Sequence, residues 1–203
     1  MNLILLIIAI LIIKNHKSLG KVFYENTFLL SSEGWIITGN KIESAALHEA
    51  YSLLDKNCKV DMSRYITGKD DLVNVDSKNK DDKNLWYFKS PPIKITLGKT
   101  TGKPVLLTFT LTSFMGDFRH LNQCSALIKI KTSNGNTFWY PSVTKYDGNM
   151  VAFNVPLRGD LWYNDAETKV NFDTIFDAEF EIEILGDWTR GVEVIGLDNI
   201  VIY

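Results

Sequence analysis

Two aromatic clusters and a lone loop tryptophan hold the residues of this chain best suited to chemistry. Phe138, Trp139 and Tyr140 are consecutive. On a strand, neighbouring side chains point to opposite faces, so these three cannot all face a core. At least one large ring must point outward or lie over a rim. Such a ring offers a flat surface on which the C–H face of a pyranose can stack, and sugar-binding sandwiches use it in that way. Leu161-Trp162-Tyr163 is a second cluster, beside an expected loop, and Trp188 falls in the loop Gly186-Asp187-Trp188-Thr189-Arg190-Gly191. Trp139, Tyr140, Trp162 and Trp188 are therefore the candidate ligand contacts. The competing reading is that a loop or a short helix covers the outward ring. Trp35 is assigned to the core, as are Trp86 and Phe88, which share one strand face.

The groups that catalysis needs show no such arrangement. Beyond the first residues the histidines are His48 and His120. Neither stands in a Ser, Cys or Asp signature, and there is no G-x-S-x-G elbow. No glycine-rich phosphate loop follows a strand. Any two carboxylates can converge in space, but no spacing selects a pair for glycoside hydrolysis. The chain is expected not to be an enzyme. Glu179, Glu181 and Glu183 alternate along one strand and read as its solvated face. The alternatives are an edge kept negative against sheet-to-sheet pairing, or a contact for a basic partner.

The first residues read as an address. Leu3–Ile13 is an unbroken apolar run followed by Lys14, Asn15, His16 and Lys17. It is short of the roughly 20 apolar residues that span a bilayer and fits a signal-peptide core. Ser18-Leu19-Gly20 offers small residues where a signal peptidase cuts, which makes residues 1–20 the expected leader and residues 21–203 a single mature domain. The alternative is a buried N-terminal strand or helix. No transmembrane segment is expected after cleavage, and the expected location is extracellular or within a secretory compartment. The formal charge is −2, and loss of Lys14 and Lys17 makes it −4. That sign argues against a nucleic-acid partner, which asks for a basic face. Cys58 and Cys124 are an even pair, most simply one disulfide in an oxidising compartment. Two buried free thiols are the alternative.

Positioning these residues falls to strands. Leu107, Phe109 and Leu111 alternate with Thr108, Thr110 and Thr112. Ala126, Ile128 and Ile130 alternate with Leu127, Lys129 and Lys131; the same period runs through Val151–Val155, Phe180–Ile184 and Ile200–Ile202. This pattern predicts half-buried strands of an antiparallel β-sandwich. Ser133-Asn134-Gly135-Asn136 and Tyr146-Asp147-Gly148-Asn149 are hairpin-turn candidates. Lys99–Pro104 and the charge-dense stretch 69–84 read as loops. Two short helices are expected, one over Ser44–Leu54, where good helix formers carry apolar residues at helical spacing, and one turn at Asp173–Phe176.

In this order the residues resemble the laminin B (laminin type IV) domain and, through it, the galactose-binding-like jelly rolls. Phe28 followed by Glu33-Gly34-Trp35 resembles that family's opening aromatic and its "EGW" strand. Tyr65-Ile66-Thr67 before Asp70 resembles its short strand ending in an acid, and Trp86-Tyr87-Phe88 with Ser90-Pro91 its "WYF-x-AP" signature. Leu107–Leu111 takes the place of an "LSFDL" strand. Trp162-Tyr163, Phe172–Phe176 and Phe180–Leu185 follow in the family's order. Gly196-Leu197-Asp198-Asn199-Ile200 matches its "SLDNV" ending. The chain departs in a long insert at Ser44–Lys59, in a doubled proline at Pro92, and in lacking flanking cysteine-rich repeats.

The resemblance implies a two-sheet jelly roll, extracellular, used for adhesion or for contact with a glycan or an extracellular protein, with no catalytic residues. It also implies a structural calcium near the chain ends. Asp198, with Asn40, Glu43 or Asp70 from the front of the chain, would supply its oxygens. The alternative is that Asp198 and Asn199 satisfy local turn amides.

Overall fold

The computed structural model describes residues 21–28, 31–39, 43–49, 64–70, 85–95, 105–116, 118, 126–141, 146, 148–164, 175–176, 178–188 and 192–203. The period-two stretches form strands. In chain order they are β1 (Tyr24–Asn26), β2 (Ile36–Thr38), β3 (Glu43–Glu49), β4 (Arg64–Asp70), β5 (Tyr87–Lys89), β6 (Leu106–Met115), β7 (Ala126–Thr132), β8 (Thr137–Pro141), β9 (Met150–Pro156), β10 (Tyr163–Asn164), β11 (Phe180–Leu185) and β12 (Glu193–Ile202). They pair antiparallel into two sheets. The first runs β3-β4-β12-β6-β9, with β1 also on β12; the second runs β10-β8-β7-β11-β5-β2.

β12 organises the first sheet. Its first half pairs with β4 and its second half with β1, while β6 lies along its other side. Ile66, Leu197, Leu111 and Val151 stand in register as one row across the sheet. Phe109 stacks on Phe153 at 4.7 Å. Along β12 the buried apolar residues change parity, from Ile195 and Leu197 to Ile200 and Ile202. Simple alternation would turn the last two to solvent. A bulge between Asp198 and Val201 inserts the extra residue that keeps both pairs inward. Asn199 supplies it at φ 54°, a left-handed conformation that asparagine tolerates. The Asp-Asn near the chain end is thus the bulge itself, with Asn199 Nδ2 donating to Asp198 Oδ2 at 2.9 Å.

Between the sheets lies an aromatic core in which Trp35, Trp86, Trp162 and Trp188 are all fully buried. Trp86 fills space opened by two glycines. A Cβ at Gly186 would lie 1.9 Å from its ring, and one at Gly68 2.4 Å away. Its indole N–H donates to Glu193 Oε1 at 3.0 Å, and the Trp188 amide donates to Glu193 Oε2 at 3.0 Å. That carboxylate is fully buried at the start of β12 and is satisfied by such donors.

Two local expectations are corrected. The helix predicted from Ser44 is strand β3, paired with β4. Its helix formers are overridden by an available sheet edge. No helix occurs among the described residues, and none is long and apolar enough to cross a membrane. Tyr146–Asn149 does not close a hairpin, because β8 and β9 belong to different sheets. The turn at Ser133–Asn136 does close the β7–β8 hairpin, with the Thr132 amide donating to the Asn136 carbonyl at 2.9 Å. Ile175 and Phe176 are buried in a turn, whereas Asp173 lies outside the described residues. So do residues 1–20, Asn40, Cys58, His120 and Cys124.

Candidate functional site

Alternation on the second sheet sends Phe138, Ile130, Ile182 and Phe88 into the core. It therefore sends their neighbours to the outer face. There the register aligns Tyr163, Trp139, Lys129, Glu183, Lys89 and Ile36 in one row crossing all six strands. At about 4.8 Å per strand the row is ~24 Å long. At one end Trp139 and Tyr163, both half-buried, stack at 4.9 Å with their planes 25° apart. This pair forms a flat aromatic platform on the two outermost strands at that edge.

The middle of the row is ionic. Lys131 and Glu181 lie one step along the same face, and the pairs form diagonally. Lys131 Nζ meets Glu183 Oε1 at 2.7 Å, and Lys89 Nζ meets Glu181 Oε2 at 2.8 Å. The glutamate row is thus neither an edge nor free. β11 lies between β7 and β5, and lysines of both strands neutralise it. Lys129 stands between Glu183 and Trp139, with its ammonium 4.4 Å from the ring centre of Tyr87. Toward Tyr87 and Leu185 the face is closed and buried. At the other end a recess of about 250 Å³ is lined by Pro92, Lys131, Thr132, Ser133, Glu179 and Glu181.

The other candidates separate from this face. Tyr140 turns inward, half-buried, and its ring tilts against Trp162 at 5.4 Å. Burial, and secondarily the neighbouring Tyr146 phenol, raises its pKa, so the hydroxyl stays protonated. Trp162 is fully buried and donates from its indole to the Pro156 carbonyl at 2.9 Å. Trp188, 1% exposed, packs edge-on against Phe118 at 4.9 Å and donates to the Leu185 carbonyl. Neither presents a face to a ligand, because loops beside them fold these large apolar rings inward. Tyr163, which sequence reasoning did not single out, takes the place of Trp162 on the surface. The signal was available: if Trp162 points in, its neighbour points out.

Of the calcium candidates, Asn40 lies outside the described residues, and Asp198 and Asp70 stand apart. Asp198 is buried in the β12 bulge, and Asp70 ends β4 opposite Glu193. Five residues of extended β12 separate the two positions, about 17 Å, too far to ligate one ion. Among the described residues no group of three His, Cys, Asp or Glu is placed to hold a metal.

No family model matches the sequence, and no curated protein matches it. Solved structures do match. The L4b domain of human laminin alpha-2 superposes with a TM-score of 0.58 at 9% identity, over 89% of this chain and 96% of that one. A family 11 carbohydrate-binding module from Clostridium thermocellum, in complex with a β-1,3-1,4-mixed-linked tetrasaccharide, gives 0.46 at 10% identity, over 90% and 96%. The fold is a two-sheet jelly roll like that of the laminin domain, as the sequence resemblance implied.

Proposed function

We propose that this domain is a non-catalytic carbohydrate-binding or adhesion module of the extracellular space, and that the outer face of its second sheet makes the contact. The observation that carries the reading is the Trp139–Tyr163 platform. Two large rings stacked at the β10 edge of the second sheet are half-exposed although the core elsewhere encloses every tryptophan among the described residues. Aromatic area left at the surface beside polar groups marks a contact site rather than packing. The row of lysines and glutamates beside it supplies hydrogen-bond donors and acceptors held in fixed positions.

The test is Trp139→Ala, assayed on a glycan array and by calorimetry with the array's best binder. Because the ring is half-buried on a peripheral strand, the variant should remain folded. Affinity should fall at least about tenfold, the loss of one stacking contact. A folded variant that binds as tightly as the parent removes the platform from the site.

A further inference from the structure

Resting on the glycan reading above, we infer that the ligand is an anionic glycan, carboxylated or sulfated, whose acid group is taken by Lys129 while a neighbouring ring stacks on Trp139 and Tyr163. Three lysines and two glutamates share the central band of this face, namely Lys89, Lys129 and Lys131 with Glu181 and Glu183. Two lysines are spoken for, Lys89 by Glu181 and Lys131 by Glu183. Lys129 is left over. Among the described residues it makes no ion pair, and its one charged neighbour in register, Glu183, already holds Lys131 at 2.7 Å. Its ammonium rests over the Tyr87 ring. That contact fixes the position of a cation without neutralising it.

The position relative to the platform gives the inference its chemistry. Lys129 and Trp139 are directly opposite on adjacent strands, with Cβ atoms about 5 Å apart. Tyr163 lies one strand further on. The ammonium sits on the β5 side of β7, over Tyr87, so it is the next ring of an oligosaccharide, running from the platform along the row, that comes within its reach. The other charges near the face leave this surplus in place. Glu179 lines the recess, and Lys94 comes opposite it, since Ile93 bridges Phe180. Among the described residues the local balance is positive, on a chain whose net formal charge is −2. A neutral glycan would use the platform and leave Lys129 idle; an acidic one uses both.

The test pairs charged probes with neutral counterparts of the same ring shape. They are tetragalacturonate with its full methyl ester, and a chondroitin sulfate hexasaccharide with its desulfated, esterified form. Calorimetry at low and at raised salt gives the affinities. At least one anionic probe should bind about tenfold tighter than its neutral partner, and salt should erode the difference. Lys129→Gln should abolish this preference with the thermal midpoint unchanged, and Lys129→Arg should keep it. Equal affinity for charged and neutral members, or a preference that survives Lys129→Gln in folded protein, overturns the anionic inference and leaves the glycan reading standing. Failure of the folded parent to bind either charged probe, with neutral glycans bound on the array, overturns it as well. Failure to bind any glycan sinks both readings.

Discussion

Trp35 is 1% exposed, and its indole N–H donates to the Tyr24 hydroxyl at 3.1 Å. The acceptor belongs to β1, so this bond ties the first strand to the core. Removing it with Tyr24→Phe leaves a buried donor without its acceptor, which costs about 1–3 kcal/mol at neutral pH. The Tyr24 pKa is raised, chiefly by burial, with the Trp35 hydrogen bond opposing. A phenol whose folded pKa lies above its unfolded value contributes stability that is present below about pH 10 and is lost as pH rises through the folded value. The deficit of Tyr24→Phe in chemical denaturation should therefore narrow at alkaline pH. A deficit that is constant across that range would assign the loss to packing alone. At this scale the sequence was partly readable. Strand alternation alone required an outward ring in Phe138-Trp139-Tyr140, and Trp139 is that ring. It pointed to Trp162 and Trp188 as contacts although both are buried, because whether a loop ring folds inward depends on the space left by distant strands, as Phe118 and Pro156 show.

Strands approach each other closely only where glycine lets them. Gly186 follows β11 and Gly68 lies within β4, and the six-membered ring of Trp86 occupies the space beside both. Gly186→Ala would set a Cβ 1.9 Å from that ring. Trp86 cannot retreat freely, since its indole is bonded to buried Glu193 and its ring meets Phe88 edge-on at 5.1 Å. Overpacking of this kind costs about 3 kcal/mol. The denaturant midpoint should drop accordingly and the near-ultraviolet aromatic dichroism should change; an unchanged midpoint would mean the two sheets can shift apart without penalty. The pairing partners that make such elements explain what the sequence hid. Long strands β6, β7, β9, β11 and β12 carry their alternation in the chain and were legible. β3 was not. Ala45, Ala46, Leu47 and Glu49 favour a helix locally, and only the register of His48 opposite Tyr65 and Glu49 opposite Arg64 makes them a strand.

The first sheet closes through the ten residues of β12, Glu193–Ile202. Tyr24 pairs with Ile202, so the two ends of the described domain meet, and the Tyr203 amide exchanges bonds with Leu106 at the start of β6. Ile200 and Ile202 are fully buried. Each large-to-small change at such a site costs about 2–5 kcal/mol, against a whole-domain stability of about 5–15 kcal/mol. Deleting Ile200–Tyr203 removes both side chains, the partner of β1 and the end of the β6 ladder together. The shortened chain should show no cooperative unfolding transition, while Ile202→Val, which removes one methyl group, should keep the transition and lose only about 1 kcal/mol. Because β12 is the last of the described strands yet lies between β4 and β6, the first sheet cannot be completed until residues through Ile202 are available. Refolding of the intact domain should accordingly take milliseconds to seconds, as expected where long-range pairings dominate. A truncated chain that still unfolds cooperatively at the parent midpoint would show that β4 and β6 are held by the first half of β12 alone, and that the bulge at Asn199 orients residues the fold does not need.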